Sequence, residues 1–281
     1  MKFTCDRNVL TEAINISQKA VASRSTLPVL EGLLIKANEG KVIITGNDLE
    51  IGIETTIEAD VIEEGSVIIN AKTFCDIIRH IPYDKIIFET DDKLQCKIYC
   101  GDIEYYMTGI SPKDYPELPV IINGKDIDIS QKILKDMIKK TIFSVAVNDV
   151  RVIHKGIKFE IKPGEIRLVA IDSHRIAIRK EFIEYNGEEL SFVVPAKTMG
   201  EIMKLIPEGD GFIKIGLGRR HILFEINGYT IISRLLEGEF FNYKNAVPVD
   251  NSTKARVNVK QLINSVERAS LLITSKIKST I

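Results

Sequence analysis

The sequence predicts an α+β fold of repeated domains, each with two helices packed on antiparallel sheets, and three observations carry that expectation. Helix starts with good capping residues recur at Asp6, Ser130 and Asn258, each followed four residues later by a leucine. Matching turn residues recur at a fixed offset after the first two of these starts. Between the helices the chain alternates apolar and polar residues at the strand period of two, so short strands outnumber helices and antiparallel sheet follows.

In chain order, Met1-Lys2-Phe3-Thr4-Cys5-Asp6 enters strand alternation at once, and a helix spans 6–20 with Leu10, Ala13, Ile14 and Ser17 on one face. Gly32, Gly40 and Asp48 mark turns among the strands that follow. Ala71-Lys72-Thr73-Phe74 opens a second amphipathic helix, 70–80, closed at Ile81-Pro82, and further strands lead to a polar loop near Tyr115. The second copy repeats this plan. Its first helix, 130–140, carries Leu134, Met137 and Ile138 with Thr141 just beyond, and Gly156, Gly164 and Asp172 fall 124 residues after their counterparts. At an offset of 125, Ala196-Lys197-Thr198-Met199 and Ile206-Pro207 bound its second helix, 195–206. Gly216-Leu217-Gly218-Arg219-Arg220 reads as a hairpin turn between strands 212–215 and 222–226, and Tyr243 sits in the loop equivalent to that of Tyr115. A third copy begins with a helix at 258–270 carrying Leu262, Val266 and Ala269. Asn123-Gly124 and Asp250-Asn251-Ser252-Thr253 are the expected linkers, giving domains at 1–122, 125–249 and an incomplete 254–281, too short to bury its own core.

Composition narrows the function. With 281 residues, 44% hydrophobic and 27% charged, the chain is an ordinary globular protein of two domains or slightly more. It has no apolar run of about eighteen residues and no signal core at its start, so we expect a cytoplasmic protein without a membrane segment. The four cysteines are then reduced. Cys96 and Cys100 share a strand face, but zinc needs two more ligands at suitable spacing. His80, His154, His174 and His221 are scattered, and no phosphate-binding glycine loop is present, so neither metal nor cofactor is expected. The net charge of −1 argues against a generic nucleic-acid binder, but its distribution argues the other way. The five helical segments carry 0, +1, +3, +1 and +1, hence +6, leaving −7 elsewhere. Basic helices and acidic sheets suit a protein that presents helices to a polyanion.

Residues 170–179, Ala-Ile-Asp-Ser-His-Arg-Ile-Ala-Ile-Arg, stand out. Asp172 and Ser173 turn the chain; His174, Ile176 and Ile178 then share one strand face, and Arg175, Ala177 and Arg179 the other. Taken alone, Asp172 and His174 could be an acid–base pair with Arg175 as an anion clamp. No nucleophile, metal set or phosphate loop accompanies them, and Asp48 occupies the matching turn without a His-Arg pair.

Together with the repeat, five stretches resemble the bacterial sliding clamp, the beta subunit of DNA polymerase III. They are Met1-Lys2-Phe3-Thr4, Arg24 with Thr26-Leu27-Pro28-Val29-Leu30, Gly46-Asn47-Asp48-Leu49-Glu50, Asn148-Asp149-Val150-Arg151, and Ile171 through Ala177, in that order over the whole chain. The resemblance implies a DNA-clamp fold of three such domains, two chains pairing head to tail into a ring with helices lining the hole; here two domains and the opening helix of a third are expected. It implies a non-catalytic processivity factor whose partners are duplex DNA, the replicative polymerase, the clamp loader and repair polymerases, the proteins engaging through short peptide motifs. Carried over by position, DNA contact falls to Arg24, Lys72, Arg79, Asn148, Arg151, Lys197 and Lys204. The peptide pocket takes His154, Ile171, Ser173, His174, Arg175, Ile176, Phe241, Asn245 and Ala246, and the homodimer interface takes Tyr105, Leu271 and Leu272. Ser173, Phe241 and Asn245 stand where the family commonly has glycine, proline and arginine, which bears on peptide preference. The alternative assembly is a two-domain clamp closing as a trimer; the third helix start at Asn258 speaks against it.

Overall fold

A computed structural model describes residues 1–121, 124–248 and 252–271. Of the expected features, Asn123, Asp250 and Asn251 in the linkers and Leu272 lie outside the described residues. Two compact units, 1–240 and 241–281, are each described by themselves.

The first repeat runs β1 (Lys2–Asp6), α1 (Arg7–Ser17), β2 (Gly32–Asn38), β3 (Lys41–Asn47), β4 (Ile51–Glu58), β5 (Asp60–Glu63), β6 (Gly65–Asn70), α2 (Ala71–His80), β7 (Lys85–Thr90), β8 (Gln95–Cys100) and β9 (Ile103–Thr108). α1 starts where Asp6 Oδ1 accepts the free N–H groups of Asn8 and Val9, at 2.8 and 3.1 Å. Its predicted face, Leu10, Ala13, Ile14 and Ser17, is buried. Asn70 caps α2 by accepting from the Thr73 N–H at 3.0 Å, and the helix ends at Ile81, before Pro82.

The second repeat runs β10 (Lys125–Ser130), α3 (Gln131–Lys139), β11 (Gly156–Lys162), β12 (Glu165–Ile171), β13 (Ile176–Phe182), β14 (Leu190–Pro195), α4 (Ala196–Leu205), β15 (Phe212–Leu217), β16 (His221–Ile226) and β17 (Tyr229–Arg234). Ser130 does occupy the cap position of α3, but its side chain makes no capping bond. Leu134, Met137, Ile138 and Thr141 are buried as the helical period requires. The Gly218 N–H bonds the His221 carbonyl at 2.9 Å, closing the β15–β16 hairpin read from the glycines.

The repeat is visible at atomic detail. Asp48 Oδ1 accepts from the N–H groups of Glu50 and Ile51 at 3.0 and 2.8 Å; Asp172 Oδ1 accepts from those of His174 and Arg175 at 2.8 and 3.0 Å. Gly40 and Gly164 both sit in the left-handed region, at φ 74° and 76°, where a side chain would be strained. The repeats differ by β5, which pairs with β1 in the first copy.

Three sheets result, in the orders β5-β1-β7-β8-β9, β10-β15-β16-β17-β4-β3-β2-β6, and β13-β12-β11-β14. The eight-stranded sheet joins the copies: β17 of the second lies antiparallel to β4 of the first, from Tyr229↔Thr55 to Ser233↔Ile51. Packing crosses the same seam, since Ile16, Ala20, Ile51 and Ile53 belong to the hydrophobic cluster of the second repeat. That cluster includes Phe159 stacked on Phe192 at 5.1 Å; the first repeat's own cluster holds Phe3 stacked on Phe88 at 5.2 Å. Burying each such ring contributes about 1.5–3 kcal/mol against the unfolded chain. In β13 Ala177 is buried while Ile178 is 41% exposed, so the face carrying Ile178 is the outer one.

In the second unit, Asn258 caps α5 (Val259–Ser270) by accepting from the Gln261 N–H at 3.1 Å. No residue of α5 is buried.

Candidate docking wall and nucleic-acid interface

The turn after β12 builds the wall. Asp172 accepts two main-chain N–H groups with one carboxylate oxygen and the Arg175 Nε–H with the other, at 2.8 Å. The His174 N–H first, then Arg175, hold its carboxyl below the usual carboxylate range. Its polar capacity is therefore spent on shaping the turn, and it bonds the His174 main chain, leaving no Asp172–imidazole hydrogen bond among the described residues. Ser173, His174 and Arg175 are exposed, and the Arg175 guanidinium lies 5.7 Å from the centre of the Phe143 ring. Ile171 pairs with Ile176 at the root of the hairpin; Ile171 is buried, so the apolar surface offered here is that of half-buried Ile176.

His154 enters from a short turn, Val152–Lys155, and is buried. Its Nδ1 lies 3.0 Å from Asp149 Oδ2, and this bond, followed by the Arg151 N–H at 2.8 Å on Oδ1, pulls the Asp149 carboxyl far below the ordinary range. The imidazole meets the Phe240 ring edge to face. Phe241, Asn245 and Ala246 belong to the second unit and are exposed there.

The basic candidates fall into two groups. Arg24, Lys72 and Asn148 are exposed, with no ion pair among the described residues. The other four are engaged: Arg79 donates to Asn15, Arg151 to Asp149, Lys197 pairs with Asp48 across the repeat seam, and Lys204 pairs with Glu201 at 2.7 Å. α3 adds residues that position matching had passed over. Lys132 and Lys139 are exposed without a salt bridge among the described residues, beside a surface cavity of about 480 Å³ between α3 and residues 207–210. Lys135 is bound by Glu208 at 2.7 Å and Lys140 by Asp136 at 2.8 Å. The signal for Lys132 and Lys139 was present in the +3 charge of segment 130–140.

The cysteines carry no site chemistry. All four are buried and free, and burial pushes the Cys5 thiol up to about 12. Among the described residues no group of three His, Cys, Asp or Glu could hold a metal ion, and no helix is long and apolar enough to cross a membrane. Tyr105 sits on β9, half-buried, and Leu271 is 80% exposed at the end of α5.

Two helix-backed sheet repeats joined edge to edge, with exposed basic side chains, define the class of DNA clamps. The DNA polymerase III beta subunit models match accordingly, the N-terminal domain over residues 1–119 and the central domain over 128–242. The beta sliding clamp of Halalkalibacterium halodurans is 35% identical over 97% of this chain and 74% of its own. The DNA polymerase sliding clamp of Bacillus subtilis superposes with a TM-score of 0.96 at 30% identity, over 99% of this chain and 75% of its own. A sliding clamp of Pseudomonas aeruginosa bound to griselimycin gives 0.88 at 26%, over 98% and 75%. The chain belongs to the DNA polymerase III beta subunit family, the bacterial beta sliding clamps. Its function is that of a DNA sliding clamp, a polymerase processivity factor, and the two-domain trimer is not favoured.

Proposed function

We propose that the chain works as a non-catalytic ring subunit that encircles duplex DNA without reading its sequence and holds polymerase, loader and repair polymerases to it by their short peptide motifs. The observation that supports it most is the β17–β4 junction. By the repeat, β9 corresponds to β17, and among the described residues β9 has one unpaired edge. An edge-to-edge junction made once within a chain can be made again between copies, and a rotation that closes gives a ring. β9 with Tyr105, and Leu271, are the homodimer surface in this reading. The domain limits 1–122, 125–249 and 254–281 belong to the same proposal.

DNA contact is assigned to Arg24, Lys72 and Asn148, joined by Lys132 and Lys139; Arg79, Arg151, Lys197 and Lys204 contribute where phosphate displaces their present partners. Such contacts position the protein and permit sliding. The peptide wall is assigned to His154, Ile171, Ser173, His174, Arg175 and Ile176, where an apolar anchor beside a few polar groups suits a short motif. Multivalent tethering then keeps the partner at high local concentration on DNA. The test is retention: after loading by the clamp loader, the protein stays on closed circular DNA and runs off once the circle is linearised. Equal retention on both forms refutes encirclement.

A further inference from the structure

His154 is 2% exposed, yet its Nε2 has no hydrogen-bond partner among the described residues. Buried polar atoms are rarely left so, because the lost hydration is not repaid. The other ring nitrogen is firmly committed. A carboxylate only accepts, so Nδ1 carries the proton that goes to Asp149 Oδ2 at 3.0 Å, and in the neutral ring Nε2 presents a lone pair. Asp149 is itself held through Oδ1 by the Arg151 N–H at 2.8 Å, so the imidazole cannot rotate to reverse the arrangement without breaking the loop. His154 Nε2 is thus a buried acceptor held in place by the bond at Nδ1, with no donor among the described residues.

What lies against it is Phe240, with ring centres 5.6 Å apart and planes at 82°. Phe240 is only partly buried, and its other ring contact is the Lys158 ammonium at 5.4 Å. No main-chain to main-chain hydrogen bond ties residues 237–240 among the described residues. Gly238, at φ 134°, supplies backbone freedom two residues away. The segment is tied at its start by the Glu237–Arg220 ion pair at 3.3 Å, and beyond it the Phe240 side chain is held by ring contacts, which suits it to move.

We propose that His154 is the polar anchor of the docking wall and Phe240 its lid. A docking peptide replaces the Phe240 ring with an apolar side chain of its own and donates a main-chain N–H to His154 Nε2. The inference rests on the docking reading above and adds its specificity: the peptide must offer an apolar side chain and a free N–H together, so a proline at the donating position is excluded.

The test uses the full chain, ¹⁵N-labelled, and a peptide copied from the C-terminal tail of the replicative polymerase. On binding, the wild-type His154 Nε2 resonance moves upfield as its lone pair accepts a hydrogen bond, while Nδ1 stays in place. Phe240→Ala binds the peptide at least about threefold more tightly, because no lid has to open first. His154→Phe, which keeps a ring but removes the acceptor, binds about 3–10-fold more weakly, the worth of one hydrogen bond. An unmoved Nε2 resonance at saturating peptide, or a Phe240→Ala chain that binds no better than wild type, overturns the anchor and lid while leaving the docking wall in place. A wild-type chain that binds no peptide overturns both.

Discussion

Replacing Lys132 and Lys139 by alanine separates two kinds of basic residue on the helices. Both ammonium groups are exposed and without a salt bridge among the described residues, so each is available to displace counterions from one phosphate. Each such contact contributes about −0.9 to the slope of log affinity against log salt, so losing two lowers its magnitude by about 1.8. Over a fourfold rise in salt the wild type then loses about 12-fold more affinity than the double variant. Lys197 and Lys204 carry the same formal charge but already face Asp48 and Glu201, which must be given up before a phosphate is gained. Lys197→Ala with Lys204→Ala should therefore change the slope by less than about 1. The assay is fluorescence anisotropy of a short, open-ended duplex across a salt series, so that ring topology does not hold the protein on. A slope untouched by the first pair, or lowered as far by the second, refutes the division.

Further outcomes follow from the docking wall, the core and the acid limb of stability. Ile176→Asp should weaken polymerase-tail peptide binding by at least about 30-fold in calorimetry, since a central apolar anchor is worth about 2 kcal/mol or more, with the fold intact because Ile176 is only half-buried; wild-type affinity would remove Ile176 from the wall. Phe159→Ala, at a fully buried ring stacked on Phe192, should cost about 3–5 kcal/mol in urea unfolding, and a loss under about 1 kcal/mol would show that the site collapses around the gap. Asp149 has a folded pKa depressed below its unfolded value of about 3.9, so its contribution is fully present above that value and lost as pH falls below it through the folded value. Asp149→Asn should accordingly flatten the acid side of the stability profile below about pH 5, and an unchanged profile would assign the acid sensitivity elsewhere.

Local chemistry made much of the fold legible in the sequence. Asp6, Leu10, Ala13 and Ile14 announce α1 because a cap and a 3.6-residue period are readable within one helix. Gly40 and Gly164 betray the repeat because their turns need a left-handed residue. Pairings between distant segments left no such mark. β17 meets β4 only in the folded chain, and the Lys197–Asp48 pair spans 149 positions. That pair also alters the charge argument. Asp48 and Glu208 were counted with the acidic remainder, yet they sit on Lys197 and Lys135 of the basic helices. The segregation of charge is real in sequence but partly neutralised in space, and Lys132 and Lys139 stand out as exposed cations without a salt bridge among the described residues. Position matching could not find them, since it transfers residue type without transferring the neighbour.

The two aspartate turns share a carboxylate cap but meet different neighbours. Each carboxylate accepts from the residues two and three positions on, although Leu49 sits at φ 73° in the first turn while its counterpart Ser173 has no such left-handed backbone. At the first, the next repeat supplies the neighbours: Lys197 binds Asp48, the Arg234 N–H bonds the Glu50 carbonyl at 2.9 Å, and β17 covers the strand that follows. At the second, Asp172 recruits its own Arg175, and Ser173 and His174 stay exposed. The tips of both turns are exposed, Leu49 and Glu50 at the first as Ser173 and His174 at the second, so the junction engages the carboxylate and the following strand but not the tip. In the docking reading, the exchange of Glu50-Ile51 for His174-Arg175 at the equivalent positions supplies the second turn with an imidazole and a guanidinium that the first lacks.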